Sequence, residues 1–270
     1  MALTSFQRGI CRLIADNRIR SGESYVAGAV PLNEITRGTR ISQDIDLFHD
    51  TSEAVAETFA LDRDLIEGRG FSLTIRRSLP GFVEALVQKG EDRTSIQWTS
   101  DSAYRFFPLL THPDFGLTLH PVDLATNKVL ALVGRLEPRD WVDVIRSHAN
   151  IQPLGLLAWA ASGKDPAFSP SSILAQAKRT ARYTGDELSE LAFDGPPPDA
   201  AFLAQQWRTM LAEAEEMVSL LPPSESGKCV LTQEGSLFVG RMADLRLALE
   251  RDGLFFHRGR VRGAFPTIGG

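Results

Sequence analysis

Sulfur chemistry is almost absent from this chain. Its two cysteines, Cys11 and Cys229, have no CxxC partner and no histidine at ligand spacing. That excludes a zinc ribbon or a disulfide framework and leaves two small buried hydrophobes. No apolar run reaches about 18 residues, so no membrane span is expected. The N-terminus lacks the charged-then-apolar order of a secretory signal, and the expected location is the cytoplasm. Internal repeats are missing too. The charge balance is not basic but −5, so no polyanion partner is required overall, although Arg76-Arg77 and the Arg258, Arg260, Arg262 series leave a local nucleic-acid contact open.

What is present suffices for a real core: 270 residues, 43% hydrophobic and 23% charged, enough for one large or two modest domains. Phe6, Ile10, Leu13 and Ile14 recur at helical spacing and predict a helix over 3–20. The segment from Tyr25 to Asn33 reads as a short apolar stretch, a small-residue turn at Gly28-Ala29-Val30 and a helix opening with Pro31 in its first turn. A helix from Thr51 ends at Gly68 and Gly70. Three strand-like runs follow, 71–76, 82–88 and 94–99, separated by Pro80-Gly81 and Gly90-Glu91-Asp92 as antiparallel connections would be. Another strand is expected over 115–120. From about residue 150 the character is helical, broken by Gly195-Pro196-Pro197-Pro198. The tail predicts a hairpin over 229–240 with Glu234-Gly235 at its turn, a helix over 242–251 and a strand over 254–261. The fold class expected is mixed α/β (α+β), with domains 1–150, a helical 151–221, and a small α+β segment 222–270.

The chemistry concentrates earlier. In the strand-like run from Arg40 to Phe48, Asp44 and Asp46 sit two apart and so point to one face. Two carboxylates held together repel unless a hard cation, a base or solvent offsets them, and Mg²⁺ with waters and substrate phosphates fits that need. An exposed Asp-x-Asp at a strand end is the open alternative. The Gly28-Ala29-Val30 turn precedes this pair by about a dozen residues and exposes backbone N–H groups able to meet phosphate oxygens. His49, just past the pair, reads as a surface histidine, with substrate contact as the alternative. Much later, Asp123 reads as the cap of a helix whose stripe is Leu124, Val129, Leu132 and Val133, with Lys128 a cation on this otherwise apolar helix. Pro138 opens a second helix in which Asp140 and Asp143 share a face.

Together these elements resemble the AbiEii-type nucleotidyltransferases, a toxin-associated branch of the DNA polymerase β-like nucleotidyltransferase superfamily, over roughly residues 20 to 150. The resemblance rests on Asp44-Ile45-Asp46, on Asn127-Lys128-Val129-Leu130-Ala131-Leu132 and on Arg139-Asp140-Trp141-Val142-Asp143 in that order. It implies a mixed-sheet nucleotidyltransferase core, Mg²⁺ on Asp44 and Asp46, and catalytic roles for Asp44, Asp46, Lys128 and Asp143. It also implies triphosphate contacts from Gly28, Ala29, Val30 and Arg139, where Arg139 is equally read as a structural ion pair. The implied reaction moves a nucleoside monophosphate from an NTP to a hydroxyl of RNA, notably a tRNA 3′ end, or of a protein. The implied partner is a restraining antitoxin protein. The family's Gly-Gly-Ser/Thr turn is Gly28-Ala29-Val30 here, without the second glycine and the hydroxyl. The third carboxylate that the superfamily carries on a later strand is Gln97 at mid-strand, with Asp101 only at the end. Asp143 is then expected to supply the missing acid. The alternative function is a relative without catalysis that binds nucleotide, RNA or a partner protein.

Overall fold

A computed structural model of the chain describes residues 3–180 and 183–267. In chain order the elements begin α1 (Ser5–Ser21), β1 (Ser24–Val26), α2 (Ala29–Ile35), β2 (Asp44–His49), α3 (Ser52–Gly68), β3 (Ser72–Leu79), β4 (Phe82–Lys89) and β5 (Asp92–Ser100). They continue β6 (Tyr104–Arg105), β7 (Leu110–His112), β8 (Gly116–Thr118), α4 (Pro121–Arg135), α5 (Pro138–Asn150), α6 (Leu154–Ala161), α7 (Pro170–Ala177), α8 (Gly185–Ser189) and α9 (Ala200–Leu220). The chain closes with β9 (Cys229–Thr232), α10 (Met242–Glu250), β10 (Leu254–His257) and β11 (Arg260–Val261). The expected mixed α/β class is what the chain adopts. Two compact units form: one holds the chain through Ala103 with Pro108–His120 and Ala192–Asp194, the other Tyr104–Phe107, Pro121–Leu191 and the chain from Gly195. Helices α4 and α5, within the 1–150 domain expected from sequence, thus pack in the second unit.

The first unit is a seven-stranded sheet in the order β3-β4-β5-β2-β1-β8-β7. The β3-β4-β5 meander is antiparallel as its turns predicted, while β2 runs parallel to β5 and β1 parallel to β8. Helix α1 starts at a capping box between Thr4 and Gln7 and stops at Gly22 in the left-handed conformation. Its Ile10, Cys11 and Ile14 join Val55 and Ile66 of α3 over the Ile45, Leu47, Val83, Ala85, Val87, Ile96 and Trp98 side of the sheet. Burial of each isoleucine, leucine or valine among them contributes about 1.5–3 kcal/mol.

Alternation along β2 decides which residues face outward: Ile45, Leu47 and His49 are buried, whereas Asp44, Asp46 and Phe48 are half-buried. His49 is therefore no surface residue. It shares the period-2 face of Ile45 and Leu47, and burial pushes its pKa down to about 4, opposed by a hydrogen bond to the Thr99 carbonyl. Burial likewise raises the Cys11 thiol to about 11, in keeping with an inert core cysteine.

A buried polar link ties α1, α3 and β5 together. The Asp62 carboxylate accepts from Asn17 Nδ2 at 2.9 Å and from Trp98 Nε1 at 3.0 Å. Trp98→Phe keeps the aromatic packing but removes one donor from a fully buried carboxylate. We expect a loss of about 1–3 kcal/mol, read from the urea midpoint at unchanged slope.

In the second unit α6 is buried on all sides and packs on α9. Gly155 permits this approach, since a Cβ there would lie 2.8 Å from the Met217 Cβ and 2.9 Å from the Ala214 carbonyl oxygen. The tail forms the short hairpin expected at Glu234-Gly235, with an antiparallel bridge between Leu231 and Leu237 and Thr232 and Phe238 N–H groups donating to the Ser236 and Val230 carbonyls at 2.8 and 3.1 Å, while the longer ladder of β9 is made with β10. The expected strand over 254–261 is split into β10 and β11, and β11 pairs with β6. Asp123 is not a cap. It lies inside the first turn of α4, fully buried, accepts the Phe106 and Phe107 N–H groups at 2.9 and 3.1 Å, and pairs with Lys164 at 2.8 Å. That clasp explains why the short Tyr104–Phe107 segment packs with this unit. Among the described residues no helix is long and apolar enough to cross a membrane.

Candidate active site

Sheet register brings the residues of the first unit together. β1 ends at Val26, Ala27 N–H donates to the Asp46 carbonyl at 3.3 Å, and Gly28 turns the chain into α2 with φ 74° and ψ −144°. A Cβ on Gly28 would lie 2.7 Å from Asp46 Oδ2. The turn thus presses bare backbone against the carboxylate, in a conformation that side chains disfavour. Ala29 and Val30 are buried, Val30 fully within the core beneath the sheet. Packing therefore explains the apolar residue at this position, and only backbone at Ala29 and Val30 is left to meet a phosphate.

On the half-buried face, Asp44 pairs in register with Ser95, and Asp46 with Gln97, of the parallel neighbour β5. Asp101 falls beyond that strand, where its carboxylate accepts the Ser102 N–H at 2.7 Å. The donor set suits a small hard cation: two aspartate carboxylates on one open face, a neutral amide beside them, and a cradle at Asp46 that any larger residue at 28 would fill. Among the described residues no group of three acidic, histidine or cysteine side chains converges at metal-binding distance. A cation on Asp44 and Asp46 would complete its shell with water and substrate oxygens, as Mg²⁺ commonly does.

Gly28→Ala tests this cradle. The substitution should lower stability by about 1–3 kcal/mol through backbone strain and displace the Asp46 carboxylate. A urea melt reads the first effect, and any Asp46-dependent activity should fall further than the melt accounts for.

In the second unit α4 and α5 converge on an ion cluster. Lys128 Nζ lies 3.1 Å from Asp140 Oδ1 and 3.1 Å from Asp143 Oδ2; both carboxylates are fully buried and the lysine side chain is 8% exposed. Arg135 completes the set with a two-pronged grip on Asp140, Nε to Oδ2 at 2.6 Å and Nη2 to Oδ1 at 2.9 Å. Each buried carboxylate thus has a cationic partner, as burial demands. Burial pushes the Asp140 carboxyl up, but the Arg135 hydrogen bonds and the Lys128 and Arg135 charges outweigh it and hold the group below the usual carboxylate range.

Lys128 and Asp143, expected together from sequence, do meet. Arg139 does not join them; it pairs with Glu137 at 2.5 Å in the first turn of α5. Sequence reasoning missed Arg135, whose only signal was a basic residue in the last turn of α4. Trp141, between the two aspartates, is fully buried and packs edge-on against Trp207 at 6.3 Å between ring centroids.

Neither a protein-family sequence profile nor a curated protein matches the chain. Solved structures do. A protein of H. pylori provisionally assigned as a nucleotidyltransferase superposes with a TM-score of 0.52 at 15% identity, covering 79% of this chain and 95% of that one. JHP933 from Helicobacter pylori gives 0.50 at 13% identity, over 80% of this chain and 95% of that one. At such identities the likeness is one of fold, and the chain has the fold of these two proteins.

Proposed function

We propose that the protein is a Mg²⁺-dependent nucleotidyltransferase of the AbiEii type, moving a nucleoside monophosphate from an NTP to an acceptor hydroxyl. The observation that carries this reading is the placement of Asp44 and Asp46 on one open sheet face, with Gly28 backbone pressed against Asp46. The fold shared with a protein assigned to the same chemistry supports it. Asp44 and Asp46 would hold the cation, which when bound offsets triphosphate charge and lowers the acceptor's pKa. Backbone of the Gly28-Ala29-Val30 turn presents N–H groups toward phosphate oxygens. Lys128 is assigned to neutralising phosphate charge and Asp143 to orienting that lysine, the second role fitting their 3.1 Å contact. Arg139, tied to Glu137, is assigned a supporting part in phosphate binding.

The catalytic portion is assigned to residues 1–150, followed by a helical domain to 221 and a small α+β segment. The acceptor is RNA, notably a tRNA 3′ end, or a protein hydroxyl, and the setting is that of a cytoplasmic toxin held by an antitoxin protein. Incubation of the protein with each α-³²P-labelled NTP, Mg²⁺, total cellular RNA and total protein tests the reading. Label on one RNA or protein band names nucleotide and acceptor class together. Absence of label with every nucleotide overturns it and favours the non-catalytic nucleotide- or RNA-binding relative, a reading that the altered Gly28-Ala29-Val30 turn supports.

A further inference from the structure

Strand register lays a chemical row across the open face of the sheet. Arg77 on β3 pairs with Glu84 on β4, Glu84 with Gln97 on β5, and Gln97 with Asp46 on β2. Burial alternates along β4 as along β2: Val83, Ala85 and Val87 are buried, while Phe82, Glu84 and Leu86 are half-buried, as is Gln97 on β5. Glu84 therefore shares the face of Asp44 and Asp46. Two strand spacings of ~4.8 Å separate its backbone from that of Asp46, and its longer side chain shortens that gap over Gln97. Ser95 Oγ donates to Glu84 Oε1 at 3.4 Å, and Ser95 is itself the register partner of Asp44. The Glu84 carboxylate is thus drawn toward β5 and the aspartate pair.

Attack on the α-phosphorus needs a group to take the acceptor's proton. Asp44 and Asp46 are committed to the cation, and the Gln97 amide has no basic atom at neutral pH. Asp101 lies past the end of β5 and is engaged with Ser102, and Asp143 is fully buried against Lys128. The Gly28 turn lies on the β1 side of Asp46, so an acceptor entering opposite the triphosphate comes over β5 and β4.

We propose that Glu84 is the general base for the acceptor hydroxyl, an inference that rests on the transferase reading above. The acceptor O–H loses its proton to the Glu84 carboxylate as the oxygen bonds to the α-phosphorus. The bond from that phosphorus to the bridging oxygen breaks, and its electron pair leaves with pyrophosphate. Gln97 spaces the base from the cation, and Arg77, whose guanidinium lies 5.5 Å from the Phe82 ring centroid, borders the acceptor path with positive charge.

The test compares the unaltered protein with Glu84→Gln, Glu84→Asp and Glu84→Gln/Gln97→Glu. Each is assayed for label transfer from α-³²P-NTP to total cellular RNA and protein, for Mg²⁺-NTP binding by calorimetry, and for melting temperature. Glu84→Gln should lower the transfer rate by about 10²–10⁴-fold, the usual worth of a general base, with NTP affinity within about twofold. Glu84→Asp, which retains charge and loses reach, should fall between the two. Moving the carboxylate one strand inward in the double variant should recover at least about a tenth of the lost rate, a rescue that a structural role would not give. Transfer by Glu84→Gln at an undiminished rate overturns the assignment of Glu84 while leaving the transferase reading intact. Equal loss of NTP binding and melting temperature in Glu84→Gln and Glu84→Asp also overturns it, as the mark of a packing role. No transfer and no Mg²⁺-NTP binding by the unaltered protein overturns both.

Discussion

Asp140→Ala should destabilise the protein by about 3 kcal/mol, the low end of what breaking a buried ion pair costs. The reason lies in what stays behind. Asp140 is fully buried and bonded at once to Lys128 and to both prongs of Arg135. Its removal leaves two cations facing one carboxylate, Asp143, in a place that water reaches poorly. Two features limit the cost: Lys128 keeps its 3.1 Å contact with Asp143, and Arg135, 43% exposed, can turn toward solvent. Lys128→Met leaves the opposite imbalance, and the two substitutions combined should cost less than their sum, because the pair vanishes together. Urea midpoints at unchanged slope measure all three.

The same carboxylate gives a pH signature. Its folded pKa lies below the ordinary 3.8 because Arg135 and Lys128 outweigh burial. Below 3.8 the unfolded chain takes up the proton before the folded one, so stability there rises with pH. The contribution of Asp140 is present in full above its unfolded value and is lost as pH falls through the depressed folded value. The stability gap between the unaltered protein and Asp140→Ala should thus be constant from neutral pH to about 5 and shrink below about 4. A gap that widened on acidification would show that Asp140 is held protonated.

Much of this architecture was legible because its signals are local. The spacing of Phe6, Ile10, Leu13 and Ile14 marks α1, Pro80-Gly81 and Gly90-Glu91 separate the strands of the meander, and Pro138 opens α5. The Asp44 and Asp46 face followed from period two alone. His49 obeys that same period, and reading it as a surface residue overlooked that it falls on the face of Ile45 and Leu47. Non-local pairings were not legible. The β1 to β8 junction rests on one register pair, Val26 with Thr118, between three-residue strands too short to show a pattern. Asp123 looked like a cap because its partners, the Phe106 and Phe107 amides, belong to a segment with no secondary-structure signal of its own. The exchange of Arg139 for Arg135 turns on Leu136, whose positive φ of 54° folds the end of α4 back on the first turn of α5. Nothing in the residue types announces that conformation at a leucine.

The aspartate pair gives the largest expected effect on activity. Asp44→Ala/Asp46→Ala should lower metal-dependent transfer at least about 10³-fold, since the several kcal/mol of transition-state charge stabilisation a bound cation supplies convert at about 1.4 kcal/mol per decade. Stability should change far less than activity, since neither side chain belongs to the core. Both side chains are half-buried on the open face, and Ile45 and Leu47, which hold β2 to the core, are untouched. This separation of effects matters, because loss of activity with loss of fold would say nothing about chemistry. Binding provides the independent readout. Mg²⁺ and NTP at about 100 times Kd should stabilise the unaltered protein by about 2.7 kcal/mol, visible as a raised melting temperature, and the double variant by far less. EDTA should abolish that shift in the unaltered protein and change nothing in the variant. A double variant that still transferred nucleotide, or still answered to Mg²⁺ with NTP, would move the cation away from Asp44 and Asp46 altogether. The half-buried carboxylates would then be a solvated strand end, and the close approach of Gly28 to Asp46 a matter of packing.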